Sequence, residues 1–123
     1  MRRVGFSAMS VAFRTPVLLL ETRGRRSGRV RSTVVAWTEV DGRLLVVGGA
    51  AGQAKVPDWV ANLRADPAVV VTRRRHSAPA TAVELVGDRR DAVWLRLVDT
   101  WPRVAKYQRL AGREVPVIEL LER

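Results

Sequence analysis

Cysteine is absent from the 123 residues, and with it go disulfides, thiolate nucleophiles and cysteine-ligated metals. Histidine occurs once, at position 76, which excludes most histidine-based zinc sites. No apolar run approaches the roughly 20 residues that a membrane-spanning helix needs. Acidic side chains are scarce beside basic ones: 12 against 22 leave a formal charge of +10. That balance points to an anionic partner, whether nucleic acid, an acidic membrane face or a polyanionic small molecule. Glu39 and Asp41 bracket a turn and lack a partner carboxylate at useful spacing, which argues against a general acid–base pair.

What is present suits one compact domain, because 47% hydrophobic residues in a chain of this length supply a sizeable core. Val17 to Thr22 is nearly all apolar and reads as a buried strand, and Thr33 to Val40 reads as a second. Asp41-Gly42 is a two-residue hairpin signal leading into a third strand over Arg43 to Val47. Pro57 fits the first position of a short helix in which Val56, Trp59, Val60 and Leu63 share a face, and Asp66-Pro67 ends it. Ala68 to Thr72 and Ala78 to Val86 pair around a basic hairpin end at Arg73 to His76, and Pro79 argues for an edge position. Gly87-Asp88 opens a second helix with a stripe of Trp94, Leu97, Val98 and Trp101, closed by Pro102. Val115 to Leu121 is the last strand. The strand-to-strand links are too short for parallel crossovers, so a closed or split barrel with helices at its ends is expected.

The segment Arg23-Gly24-Arg25-Arg26-Ser27-Gly28-Arg29-Val30-Arg31 is a basic turn between two strands. Glycines near both ends permit a tight loop, and its exposed N–H groups and guanidinium forks suit a phosphate or carboxylate chain. The alternative is a solvated turn in an arginine-rich protein. Base stacking on nucleic acid needs aromatic residues among the basic ones, and segments 23–31 and 73–76 hold none, so no nucleic-acid partner is expected. Gly48 to Gln53 is a run of small residues where backbone meets whatever lies above it. Residues 1–14 put two arginines before a mildly apolar stretch that Ser7, Ser10 and Arg14 interrupt. A short amphipathic helix touching a membrane surface or covering the site fits better than a signal peptide, in a cytoplasmic protein.

Three motifs together, G-R-x-S-G-x-x-R at 24–31, P-x-W-x-x-N-L at 57–63 and Y-Q…R-x-[IV]-P-V at 107–117, resemble the deazaflavin-dependent nitroreductases, also described as F420-dependent quinone reductases. The likeness runs from about residue 16 to 122. It implies a mainly β, α+β fold with two or three helices: a split β-barrel of the FMN-binding type. It also implies an oxidoreductase that passes hydride from reduced coenzyme F420 to a quinone, nitro or activated-alkene acceptor, with FMN as the second cofactor choice. A barrel that holds F420, flavin or haem without turnover is the rival function.

Carried over residue by residue, the resemblance assigns Arg25, Arg26, Ser27, Gly28 and Arg31 to the cofactor's phosphate and acidic tail. It sets Thr33 and Val34 beside the deazaflavin ring, with Gly48, Gly49, Ala50, Ala51 and Gly52 against that ring through backbone groups. Pro57, Trp59 and Asn62 position the helix beside the cofactor. Tyr107 falls where the family has an aromatic residue near the substrate, as a hydrogen-bond or proton donor or as packing. Physical chemistry agrees on the first assignment, since a phosphodiester with several carboxylates calls for charge-assisted donors in series. The family's loop lysine is missing where Ala50 and Ala51 stand, and Lys55 is the candidate replacement. Barrels of this kind often dimerise, so a homodimer is a further expectation.

Overall fold

The computed structural model describes residues 16–49 and 54–123. The helix expected over 1–14 therefore lies outside the described residues, as do Ala50, Ala51, Gly52 and Gln53. Six antiparallel strands, β1 (Val17–Arg23), β2 (Val30–Val40), β3 (Arg43–Val47), β4 (Ala68–Arg73), β5 (His76–Glu84) and β6 (Val117–Glu122), close in the order β1-β2-β3-β6-β5-β4. Among the described residues three helices accompany them: α1 (Asp58–Ala65), α2 (Gly87–Thr100) and α3 (Arg103–Ala111). The fold is a split β-barrel of six strands.

Alternation along each strand builds two cores on the two faces of the barrel wall. Inside lie Leu18, Leu20, Val35, Val46, Val69, Val71, Ala80, Ala82, Ile118 and Leu120. Val60 and Leu63 of α1 join that cluster, so α1 plugs one end of the barrel with its apolar face. At the other end Arg73 stacks 4.9 Å from the Trp37 ring centroid and pairs with Glu122 at 3.2 Å. The outer wall contributes Val40, Leu45 and Val117 to a second cluster with Val93, Leu97 and Val104, and Trp94, Val98 and Trp101 pack against it. Thus α2 and α3 cover the side of the barrel, not its end. The bidentate Arg64–Glu84 pair, at 2.7 and 2.8 Å, fastens the tail of α1 to β5 and holds the arginine above its ordinary pKa through that hydrogen bond.

Several expectations change. Pro57 precedes the helix as its N-cap, with ψ 148°. Pro79 is not on an edge strand, because β5 pairs with both β4 and β6. Its ring is tolerated because its carbonyl faces Arg123 N at 3.0 Å, beyond the last residue of β6, so its missing N–H falls where that ladder ends. Pro102 ends α2 as expected, but the chain re-enters a helix at once. That helix, α3, stops at Gly112 in the left-handed conformation (φ 67°).

Arg90 ties this corner together. Buried to 4% exposure, it donates to Val115 O at 2.7 Å and to Gln108 Oε1 at 3.0 Å, and lies 4.7 Å from the Trp94 ring centroid. Among the described residues no helix is long and apolar enough to cross a membrane.

Candidate functional site

The basic turn between β1 and β2 folds back on itself. Gly24 N–H donates to Arg29 O at 2.7 Å, Gly28 N–H to Gly24 O at 2.8 Å, and Arg29 N–H to Ser27 Oγ at 3.2 Å. Arg23 Nη1 adds a bond to Gly28 O at 2.8 Å. Gly24 keeps this turn tight, since a Cβ would stand 2.9 Å from Ser27 Oγ and 3.2 Å from Arg29 O and would force both to shift. Gly28 takes a left-handed φ of 74°. The expectation of exposed N–H groups is corrected for these residues, because a turn without strand partners satisfies its own backbone.

Asn62 pins the turn to α1. Its Oδ1 accepts from Arg25 N at 3.2 Å and from Arg25 Nη1 at 2.8 Å, while its Nδ2 donates to Thr22 Oγ1 at 3.4 Å. Asp58 stands 3.5 Å from Arg25 Nη2. Asn62 and Thr22 are buried, at 5% and 2% exposure, so this polar set is a built joint between strand, turn and helix. It also means that Arg25 is already engaged by the protein.

Above the joint opens a cavity of about 650 Å³, within the usual range for small-molecule sites. Among the described residues four cations, Arg25, Arg26, Arg31 and Lys55, line it beside one carboxylate, Asp58. Arg31 pairs across from Thr22 and Thr33 across from Leu20, which places both on the face that runs into the barrel interior. Trp59 lines the cavity and packs on the barrel core. Seven of the sequence-derived residues thus meet: Arg25, Arg26, Ser27, Arg31, Thr33, Trp59 and Asn62.

Others do not line it. Val34 lies on the opposite face of β2 from Thr33 and is not among the lining residues. Gly28 and Pro57 shape the turn and the helix start from outside the lining. Gly48 and Gly49 are buried by protein: a Cβ at 48 would sit 2.8 Å from Val60 Cγ2, and one at 49 would sit 3.1 Å from the Tyr107 ring. Tyr107 is half-buried on Gly49 and is absent from the lining. Thr22 was missed, although its two-residue spacing from Leu18 and Leu20 marks it as inward-facing. Lys55 also lies in the lining.

The family model of F420H(2)-dependent quinone reductase matches residues 2–122. The chain belongs to that family. As a member of the F420H(2)-dependent quinone reductases it is an oxidoreductase, and its cofactor is coenzyme F420 rather than FMN. It is similar to Rv3178 of Mycobacterium tuberculosis, which is provisionally named an F420H(2)-dependent quinone reductase. The two are 33% identical over 117 residues, or 94% of this chain and 98% of that one. Its fold is similar to the solved structure of an F420-H2 dependent reductase, FDR-A. That match has a TM-score of 0.73 at 33% identity, covering 85% of this chain and 93% of the other. A solved domain-swapped dimer is also similar, with a TM-score of 0.74 at 33% identity over 85% and 79% of the two chains.

The donor set fits this cofactor. A phosphodiester followed by carboxylates needs several cations at spacing, and Arg26, Arg31 and Lys55 converge on one cavity while Arg25 is locked in register by Asn62.

Proposed function

We propose that the cavity at the barrel mouth receives the phosphate and acidic tail of F420, and that a quinone accepts the hydride. The convergence of Arg26, Arg31 and Lys55 over the Asn62–Arg25–Thr22 joint carries this reading. When bound, the reduced deazaflavin supplies the hydride. Arg26 and Arg31 hold the anionic tether by charge-assisted hydrogen bonds. Thr33 and Trp59 bound the inner wall of the cavity, and Trp59 gives a ring an apolar surface to rest on. Asp58 keeps Arg25 and the turn close to α1.

Tyr107 is the proposed substrate-side group, held by its packing on Gly49, whose chain continues into residues 50–53. Nitro compounds and activated alkenes are secondary acceptors under the same hydride chemistry. A homodimer is the proposed assembly, supported by the dimeric structure that the fold resembles.

Anaerobic oxidation of F420H2, followed with menadione and with a nitroaromatic, tests the acceptor. Faster turnover with menadione is expected. Tight F420 binding without oxidation by either acceptor would leave a cofactor carrier in place of a quinone reductase.

A further inference from the structure

Arg113, the arginine of the C-terminal motif, lies on the segment between α3 and β6 and is not itself among the residues lining the cavity. Among the described residues its guanidinium donates to three main-chain carbonyls: Nε to Ala54 O at 2.7 Å, and Nη2 to Gly48 O and Lys55 O, both at 3.2 Å. Gly48 precedes the stretch 50–53, while Ala54 and Lys55 follow it. One planar fork therefore ties together the two flanks of that stretch.

The upstream flank is fixed on its other sides too. Gly48 N–H donates to Pro116 O at 2.9 Å, Val60 blocks any Cβ there, and the Tyr107 ring covers Gly49. The downstream flank has a functional neighbour, since Lys55 lines the cavity and α1 begins three residues later. Each bond from a charged donor to a backbone carbonyl is stronger than a neutral one, so three on one group make a firm clamp.

We infer that Arg113 is a positioning residue of the cofactor site: it holds the Lys55 backbone so that the ammonium faces the anionic tail. This deepens the reading of the cavity as the tail site and rests on it. A lysine is a flexible point charge on a four-carbon stem, and its contribution depends on where its Cα is held.

The test pairs Arg113→Gln with Lys55→Ala and their combination, measured by F420 fluorescence titration at several salt concentrations. Hydrogen exchange of the cofactor-free proteins is the second readout. Arg113→Gln is expected to raise the F420 Kd about tenfold and flatten its salt dependence, as loss of one oriented cation would. The double variant should bind no more weakly than Lys55→Ala alone, and amides at 48 and 54–56 should exchange faster while the barrel strands do not. Effects of the two substitutions that multiply would overturn the inference, because Arg113 would then act independently of Lys55. Unchanged affinity in Arg113→Gln would overturn it as well. Unchanged affinity in Lys55→Ala, with exchange at 54–56 still accelerated in Arg113→Gln, would overturn the tail-site reading and the inference with it. Arg113→Lys keeps the charge with a single ammonium in place of the fork, and partial rescue of Kd is expected. A failure of both Arg113 variants to fold would make the residue structural and sink the proposal.

Discussion

Asn62→Ala tests the joint beneath the cavity. The substitution removes the acceptor of two bonds from Arg25, at 3.2 Å and 2.8 Å, and the donor facing Thr22. A hydrogen bond to a charged group contributes about 1.5–3 kcal/mol, and a neutral one about 1 kcal/mol. The Arg25 side chain is 30% exposed, so water replaces part of the charged bond once Asn62 is gone. Thr22 Oγ1 has no such relief, because the residue is 2% exposed. The expected loss is about 2–3 kcal/mol, or roughly 6–15 °C in Tm for a domain of this size.

Asn62→Asp separates stability from binding. A carboxylate still accepts from Arg25 and can accept from the Thr22 hydroxyl, so stability should hold. The added negative charge beside the cavity should nevertheless weaken F420 binding several-fold. Thermal and urea unfolding, run beside F420 titration, read both quantities. A loss below about 0.5 kcal/mol for Asn62→Ala would show that the turn does not depend on this joint. So would Asn62→Asp unfolding as readily as the alanine variant.

Arg26→Ala combined with Arg31→Ala should weaken F420 binding about a hundredfold at low salt, with a shallower salt dependence than the parent chain. Equal affinity in the variant would remove the turn from the tether site. The β4–β5 turn places Arg74 and Arg75 at φ 48° and 70°, where β-carbons are disfavoured and Asn-Gly is preferred. Replacing the pair with Asn-Gly should stabilise the chain by about 1 kcal/mol in urea unfolding and leave F420 affinity unchanged, because the strand register puts this turn at the opposite end of the barrel. A fall in stability would refute the strain argument.

The sequence by itself determined the six strands, their antiparallel character and the residue types of the site. Two-residue alternation, the Asp41-Gly42 hairpin and the glycines of the basic turn are local signals, legible without any neighbour. The arginines of 25–31 announced an anionic ligand because charge density needs no fold to be counted. Tertiary structure decided what each of those groups is used for. Arg25 proved to be held by Asn62, 37 residues away, and the N–H groups of Gly24, Gly28 and Arg29 proved to be bonded within the turn. Val34 proved to lie outside the cavity lining, and Gly48 and Gly49 made room for Val60 and Tyr107. The helix over 103–111 escaped notice because its buried positions are sparse, Val104 and Ala111, and its place against β3 and β6 comes from packing. Hydrogen bonds and packing join residues far apart in sequence, so composition and periodicity name the groups while barrel closure selects which of them meet.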